Sequence, residues 1–350
     1  MPTTYAVPNG ATAFAATTYT GTGTTQSILN SANTTTGVSF QPDFVWLKVR
    51  STTGSNYLFD SIRGVGDFLT SDNTNAESTN SQTLTSFNSN GFTLGTAGGA
   101  INGSGSTFIG WNWKAGGTSS SNTNGSITST VSVNATAGFS IVTATCPASA
   151  GTVGHGLGVT PSLIIFKDRT NGTNYWIVWH SSLASATQGY MELDSTSAYR
   201  TSVNAWNNTA PTSTTFSTPV VGVGPINSGD TFVAYCWAQI PGYSKFGSYT
   251  GNGSADGPFV FTNFRPRWVM IKRTDTTANW IIWDTSRDTY NVTQNDLFPN
   301  SSAAEVQGNY IDILSNGFKN RDTSVTTNAS GGTYIYAAFA ETAFKFSNAR

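Results

Sequence analysis

The sequence has 350 residues, of which 163 are Gly, Ser, Thr or Asn and only 35 (17 basic, 18 acidic) are charged, a composition that favours strands and turns over helices. Ten Trp, 13 Tyr and 21 Phe supply enough large apolar side chains for packed cores and argue against simple disorder. The charges sum to −1 and form no runs, so there is no electrostatic footprint for nucleic acid or an anionic membrane.

The N-terminus, MPTTYAVPNGATAFAATTYTG, lacks the basic start and apolar block of a signal peptide, and no stretch approaches the roughly 20 apolar residues of a membrane-spanning helix. The expectation is a soluble chain made in a bacterial cytoplasm, without membrane insertion. From residue 14 onward one pattern occurs three times. PDFVWLK at 42–48, PSLIIFK at 161–167 and PRWVMIK at 266–272 place Pro42, Pro161 and Pro266 six residues before Lys48, Lys167 and Lys272. A second apolar run follows each, with Asp60, His180 and Asp284 at the matching position. Each copy closes on another strand-like run: TFIGWNWKA, TFVAYCWAQ and TYIYAAFAE. Copies one and three also carry an Asn-Gly hairpin signal, Asn90-Gly91 and Asn316-Gly317, which copy two lacks at the matching position.

These boundaries predict an N-terminal arm (1–13), repeat one (14–114), a Gly/Ser/Thr-rich linker (115–138), repeat two (139–239), a short joint (240–245), repeat three (246–342) and a C-terminal tail (343–350). At about 100 residues each repeat is long enough for its own core, unlike the units of a solenoid. The linker is either flexible or ordered by packing on a neighbour. The fold class expected is all-β: three tandem antiparallel β-sandwiches, of jelly-roll or lectin-like order, with little helix. Residues 181–193 and 301–308 are the segments with a short helical signal. Because FVWLK, IIFK and WVMIK are apolar on both strand faces, a loop, another repeat or another chain must cover the second face.

Catalytic candidates are sparse. His155 lies in a Gly-rich turn and His180 ends an apolar run, and no known nucleophile, phosphate-loop or metalloprotease pattern occurs. Asp60 and Asp284 are the best carboxylates for sugar hydrolysis, but they occupy the same position in different repeats and do not form a pair. Each is followed three residues later by Arg63 or Arg287, which points to a local ion pair ordering a turn. Copy two has His180 and Ala184 in this region. Most tryptophans fall inside strand runs and read as core; Trp206, in the polar segment NAWNNTAP, reads as an exposed platform, so Trp206 and His155 are the candidate glycan contacts. Cys146 and Cys236 exclude a disulfide-rich scaffold and read as buried thiols, with a bond between them left open. No metal and no cofactor are expected.

The strings PDFVWLKVRS, LFDSIRG, SNGFTLG, FIGWNWKAGG, AYCWAQIPGYSKFGSYTGNGSADGPFV and YIYAAFAETAFKFSNAR resemble the repeated domain of structural proteins of marine tailed bacteriophages, including cyanophages and pelagiphages. The resemblance runs from about residue 14 to Arg350. It implies a virion component, of the tail-fibre, receptor-binding or capsid-appendage kind, whose partners are other virion proteins. It brings no catalytic residues. By analogy with phage appendages a homotrimer is favoured. A multivalent carbohydrate-binding module that recognises host surface glycans is the alternative reading. A polysaccharide depolymerase comes third, because no long parallel β-helix pattern is present.

Overall fold

Runs of β-branched and aromatic residues between Gly- and Asn-rich turns are suited to pleated, buried strands. The computed structural model describes residues 7, 9–30, 37–147, 149–219 and 227–340. The fold is all-β and its principal ladders are antiparallel. Among the described residues helix is confined to Gly10–Thr12 and Gly98–Asn102. The helical signals at 181–193 and 301–308 are not realised. Gly189–Glu192 and Val306–Leu314 are strands instead, because pairing with neighbouring strands satisfies their backbones better than one isolated helical turn does.

Four long strands recur in each copy. They are β1 Phe14–Thr20, β2 Phe44–Val49, β3 Asn56–Asp60 and β4 Thr107–Trp113 in copy one. Copy two supplies β5 Phe139–Thr145, β6 Leu163–Asp168, β7 Ile177–His180 and β8 Thr231–Trp237. Copy three supplies β9 Ser244–Thr250, β10 Pro266–Arg273, β11 Trp280–Asp284 and β12 Thr333–Ala340. The sheet order repeats as well: β1-β4-β2-β3, β5-β8-β6-β7 and β9-β12-β10-β11. In every copy the last of the four strands along the chain is inserted between the first and the second.

Each large sheet has two apolar faces, and both are covered. The outward residues of copy one, Val45, Leu47 and Phe59, pack on Phe92 and Leu94 of a smaller sheet. Ile164, Phe166 and Trp179 do the same with Val153 and Phe216, and Val269, Ile271 and Trp283 with Val260 and Phe318. The inward residues of all three sheets, among them Phe44, Trp46, Trp111, Ile165, Tyr235, Trp268, Met270 and Ile335, form one shared core. Its centre is a triangle of the equivalent residues Trp113, Trp237 and Phe339, with ring centroids 5.9, 5.6 and 6.4 Å apart. The copies are therefore three sides of one body and share a core, rather than forming separate beads. Fully burying each of these large side chains contributes about 1.5–3 kcal/mol, and none could be buried this way in an isolated copy. Of the covers the sequence left open for the second apolar face, a loop, another repeat or another chain, those within this chain are the ones found.

The connections follow the same logic. Segment 115–138 contributes the strands Ser120–Asn122 and Ser129–Asn134 to the large sheet of copy two, so it is ordered by its neighbour. In the N-terminal arm, Val7 is buried in the shared core and Asn9 caps the Gly10–Thr12 turn; residues 1–6 and 8, and the C-terminal tail 343–350, lie outside the described residues. The Asn-Gly hairpins of copies one and three are present. A Cβ at Gly91 would meet Ile28 O at 1.9 Å and one at Gly317 would meet Val260 O at 2.1 Å, so both glycines admit a third strand against the hairpin. Copy two, without an Asn-Gly pair at this position, has a two-stranded small sheet of Thr152–Gly154 and Thr215–Ser217.

Candidate functional site at the junction of copies two and three

The matching positions Asp60, His180 and Asp284 end the third long strand of each copy (β3, β7 and β11), and each is buried against the next copy. Asp60 accepts a hydrogen bond from Tyr235 Oη of copy two at 2.8 Å. His180 meets the backbone oxygen of Tyr336 in copy three at 3.1 Å through Nε2. Asp284 accepts from Trp111 Nε1 of copy one at 3.0 Å. The contacts run one to two, two to three and three to one, closing a ring. By strand register Trp111, Tyr235 and Ala337 are equivalent; alanine offers no polar atom, so His180 reaches the neighbouring backbone.

The three lysines of the repeated motif are buried, and two of them, Lys167 and Lys272, bond across a junction. Lys167 Nζ donates to Thr74 O at 2.6 Å and also to Asn174 O. Lys272 Nζ donates to Thr196 O at 3.0 Å and to Ala278 O, while Lys48 donates to Gly54 O. Burial pulls all three ammonium groups down, Lys48 and Lys167 to about 8 and Lys272 to about 7. Nearby carboxylates offset only part of this. Pro42, Pro161 and Pro266, six residues earlier, are buried at or just before strand starts, where a missing N–H costs no ladder bond.

At two junctions a chain of charges fills the space around the ring contact. Arg63 pairs with Asp60 and with Glu77 (2.9 Å), and Glu77 is gripped by Arg169 of copy two. Arg287 pairs with Asp284 (2.6 Å) and Glu305 (2.9 Å), and Glu305 is gripped by Arg50 of copy one (2.8 Å). Burial raises the Asp284 carboxyl, but the Arg287 guanidinium and the Trp111 hydrogen bond outweigh it and hold the group below the usual carboxylate range. The Asp–Arg spacing is thus a turn-ordering ion pair that also locks two copies together. In the sequence Glu77, Arg50, Arg169 and Glu305 do not stand out as partners of the Asp–Arg pairs. The offset of two residues from Lys48 and Lys167 to Arg50 and Arg169 could have revealed them.

The third junction has no such chain. Leu183 stands three residues after His180, where Arg63 and Arg287 stand in the other copies. Tyr199 N donates to Thr274 O at 2.9 Å, just as Glu77 N does to Arg169 O and Glu305 N to Arg50 O, so Tyr199 replaces the glutamate and Thr274 the second arginine. With two long cationic side chains gone, a cleft of about 430 Å³ opens, lined by Leu183, Tyr199, Ser248, Thr250, Thr274 and Asp275 among others. Two further lining residues, Tyr249 and Tyr334, stack on each other, centroids 4.8 Å apart and planes 11° from parallel. Arg273 lies 5.9 Å over Tyr334 and pairs with both oxygens of Asp275 at 2.9 and 2.8 Å. That hydrogen-bonded pairing, first of several causes, pulls the Asp275 carboxyl to about 2.

The residues singled out as glycan contacts are elsewhere and are not exposed. Trp206 is fully buried in the outer core of copy two and donates Nε1–H to Gly189 O at 3.0 Å. Its polar flanking residues face solvent while the indole packs inward, which composition alone does not reveal. His155 is also buried, between Thr212 O at 3.2 Å and the Leu157 amide at 3.2 Å, and burial lowers its pKa. Cys146 and Cys236 are free buried thiols. Among the described residues no group of three or more His, Cys, Asp and Glu is placed to hold a metal ion, and no helix is long and apolar enough to cross a membrane.

A single family match spans all three copies, from residue 9 to residue 343. The chain belongs to DUF7483, a domain family of unknown function. No curated relative and no solved structure matches it. The DUF7483 match takes in the whole ring of junctions, the cleft included.

Proposed function

We propose that this DUF7483 chain is a structural protein of a tailed-phage virion, part of the tail fibre, receptor-binding apparatus or a capsid appendage, acting by assembly and surface contact rather than by catalysis. The sequence resemblance points to this setting. The observation that carries the non-catalytic part is the use of the ionisable groups: Asp60, Asp284, His155 and His180 are all buried and committed to hydrogen bonds that hold the body together. General acid–base chemistry needs such groups within reach of a substrate proton. A body closed on a shared aromatic core, with both cysteines free, suits a particle that must stay folded outside a cell without disulfides.

The test is detection in purified particles. Mass spectrometry of virions and gold-labelled antibody should both find the chain, and a virion map should show a body with three similar sides. Its absence from purified virions overturns the reading.

A further inference from the structure

We propose that the cleft between copies two and three binds a short neutral glycan; this names the surface ligand of the contact protein proposed above and rests on that reading for its biological setting. Three observations lead to it. The first is position. Of three equivalent junctions, two are filled by Arg63–Glu77–Arg169 and Arg287–Glu305–Arg50, whereas the third carries Leu183, Tyr199 and Thr274 and leaves a cleft of about 430 Å³. That volume falls within the roughly 300–1,000 Å³ of small-molecule sites.

The second is surface chemistry. The half-buried Tyr199 ring and the Leu183 and Ile335 side chains give apolar contact area, and the Tyr199 hydroxyl is already fixed by the Ser185 amide at 3.1 Å. Around them the hydroxyls of Ser182, Ser248 and Thr250 engage no protein group among the described residues. A sugar ring presents the complement: an apolar C–H face that packs on an aromatic ring and a rim of hydroxyls that both donate and accept.

The third is charge. Among the described residues Asp275 is the lone charged residue of the lining, and Arg273 occupies both of its oxygens. Neither an acidic nor a cationic ligand finds an unpaired counter-charge there, and burying such a ligand's charge unpaired is costly. A neutral polyhydroxylated ligand avoids that cost.

The experiment is an array of neutral and acidic oligosaccharides probed with the full chain, followed by calorimetric titration of the best neutral binder. Two variants accompany it. Leu183→Arg, Tyr199→Glu and Thr274→Arg together rebuild the ion chain of the other junctions inside the cleft, and Ser248→Trp blocks it from an exposed strand position. The full chain should bind at least one neutral oligosaccharide, and each folded variant should weaken that binding by about tenfold or more, as expected when a small pocket is filled. If the triple variant does not fold, Ser248→Trp alone decides. No neutral oligosaccharide above background, binding confined to acidic glycans, or unchanged affinity in Ser248→Trp overturns the inference. A virion-borne chain with a silent cleft would overturn this inference and spare the proposed function; a glycan-binding chain missing from virions would overturn the function alone.

Discussion

Tyr235 of copy two donates its hydroxyl hydrogen to Asp60 of copy one at 2.8 Å while receiving Arg63 Nη2–H at 3.1 Å. One phenol thereby joins a buried ion pair to a neighbouring sheet. Tyr235→Phe should cost about 1 kcal/mol, the net worth of one such hydrogen bond. Asp60→Asn should cost about 3 kcal/mol or more, because it leaves the buried Arg63 guanidinium undercompensated. Chemical denaturation of both variants measures this, and equal small losses would mean that the junction contributes little.

Because the three sheets share one core, unfolding should be a single cooperative event. Calorimetry should give one transition whose van't Hoff and calorimetric enthalpies agree. Copy two expressed alone, residues 139–239, should fail to fold, since its inward residues Ile141, Ile165 and Tyr235 would face water. Three resolved transitions would return the chain to independent beads.

His180 is buried neutral, with Nε2 at Tyr336 O and Nδ1 receiving the Ser182 amide, and burial pushes its pKa from 6.5 to about 4. Between those values the unfolded chain binds the proton more readily than the folded one, so stability falls as pH drops from about 6.5 to about 4. The full effect is on the order of 3 kcal/mol. The sign is the same at the lysines: with Lys272 at about 7, stability rises with pH from there toward 10.5. Proton-detected titration of the His180 ring should show a midpoint well below 6. A midpoint near 6.5 would place the ring in water.

Trp206→Ala should destabilise the chain by about 3–5 kcal/mol through the cavity it leaves. It should not alter ligand binding at the cleft, because the indole lies in the outer core of copy two. Thermal denaturation and glycan titration of the same variant separate the two effects.

Both thiols should resist labelling in the native state. Cys236 is fully buried and burial drives its pKa up; burial and Asp230 together raise that of Cys146, and the thiolate is the reactive form. A thiol reagent should count two cysteines after denaturation and react slowly, if at all, before it. Immediate native reaction of Cys236 would contradict its burial.

Much of the fold was legible without coordinates. Strand identity is local: β-branched and aromatic runs between Gly- and Asn-rich turns specify strands wherever they occur, so the all-β class, the threefold repeat and the Asn90-Gly91 and Asn316-Gly317 hairpins could be read directly. Double apolarity also showed that each strand had two covered faces. What covered the second face was not legible, because the contacts that decide it join residues as distant as Asp60 and Tyr235, or Trp111 and Asp284. A repeat specifies what each copy is, whereas ring closure depends on how three copies fill one volume. The burial of Trp206 and His155 was hidden for the same reason, since polar neighbours in sequence say nothing about which way a side chain packs. The cleft came last: Leu183, Tyr199 and Thr274 are unremarkable residues singly, and only their superposition on two filled junctions reveals them as the place where the chain of charges is missing.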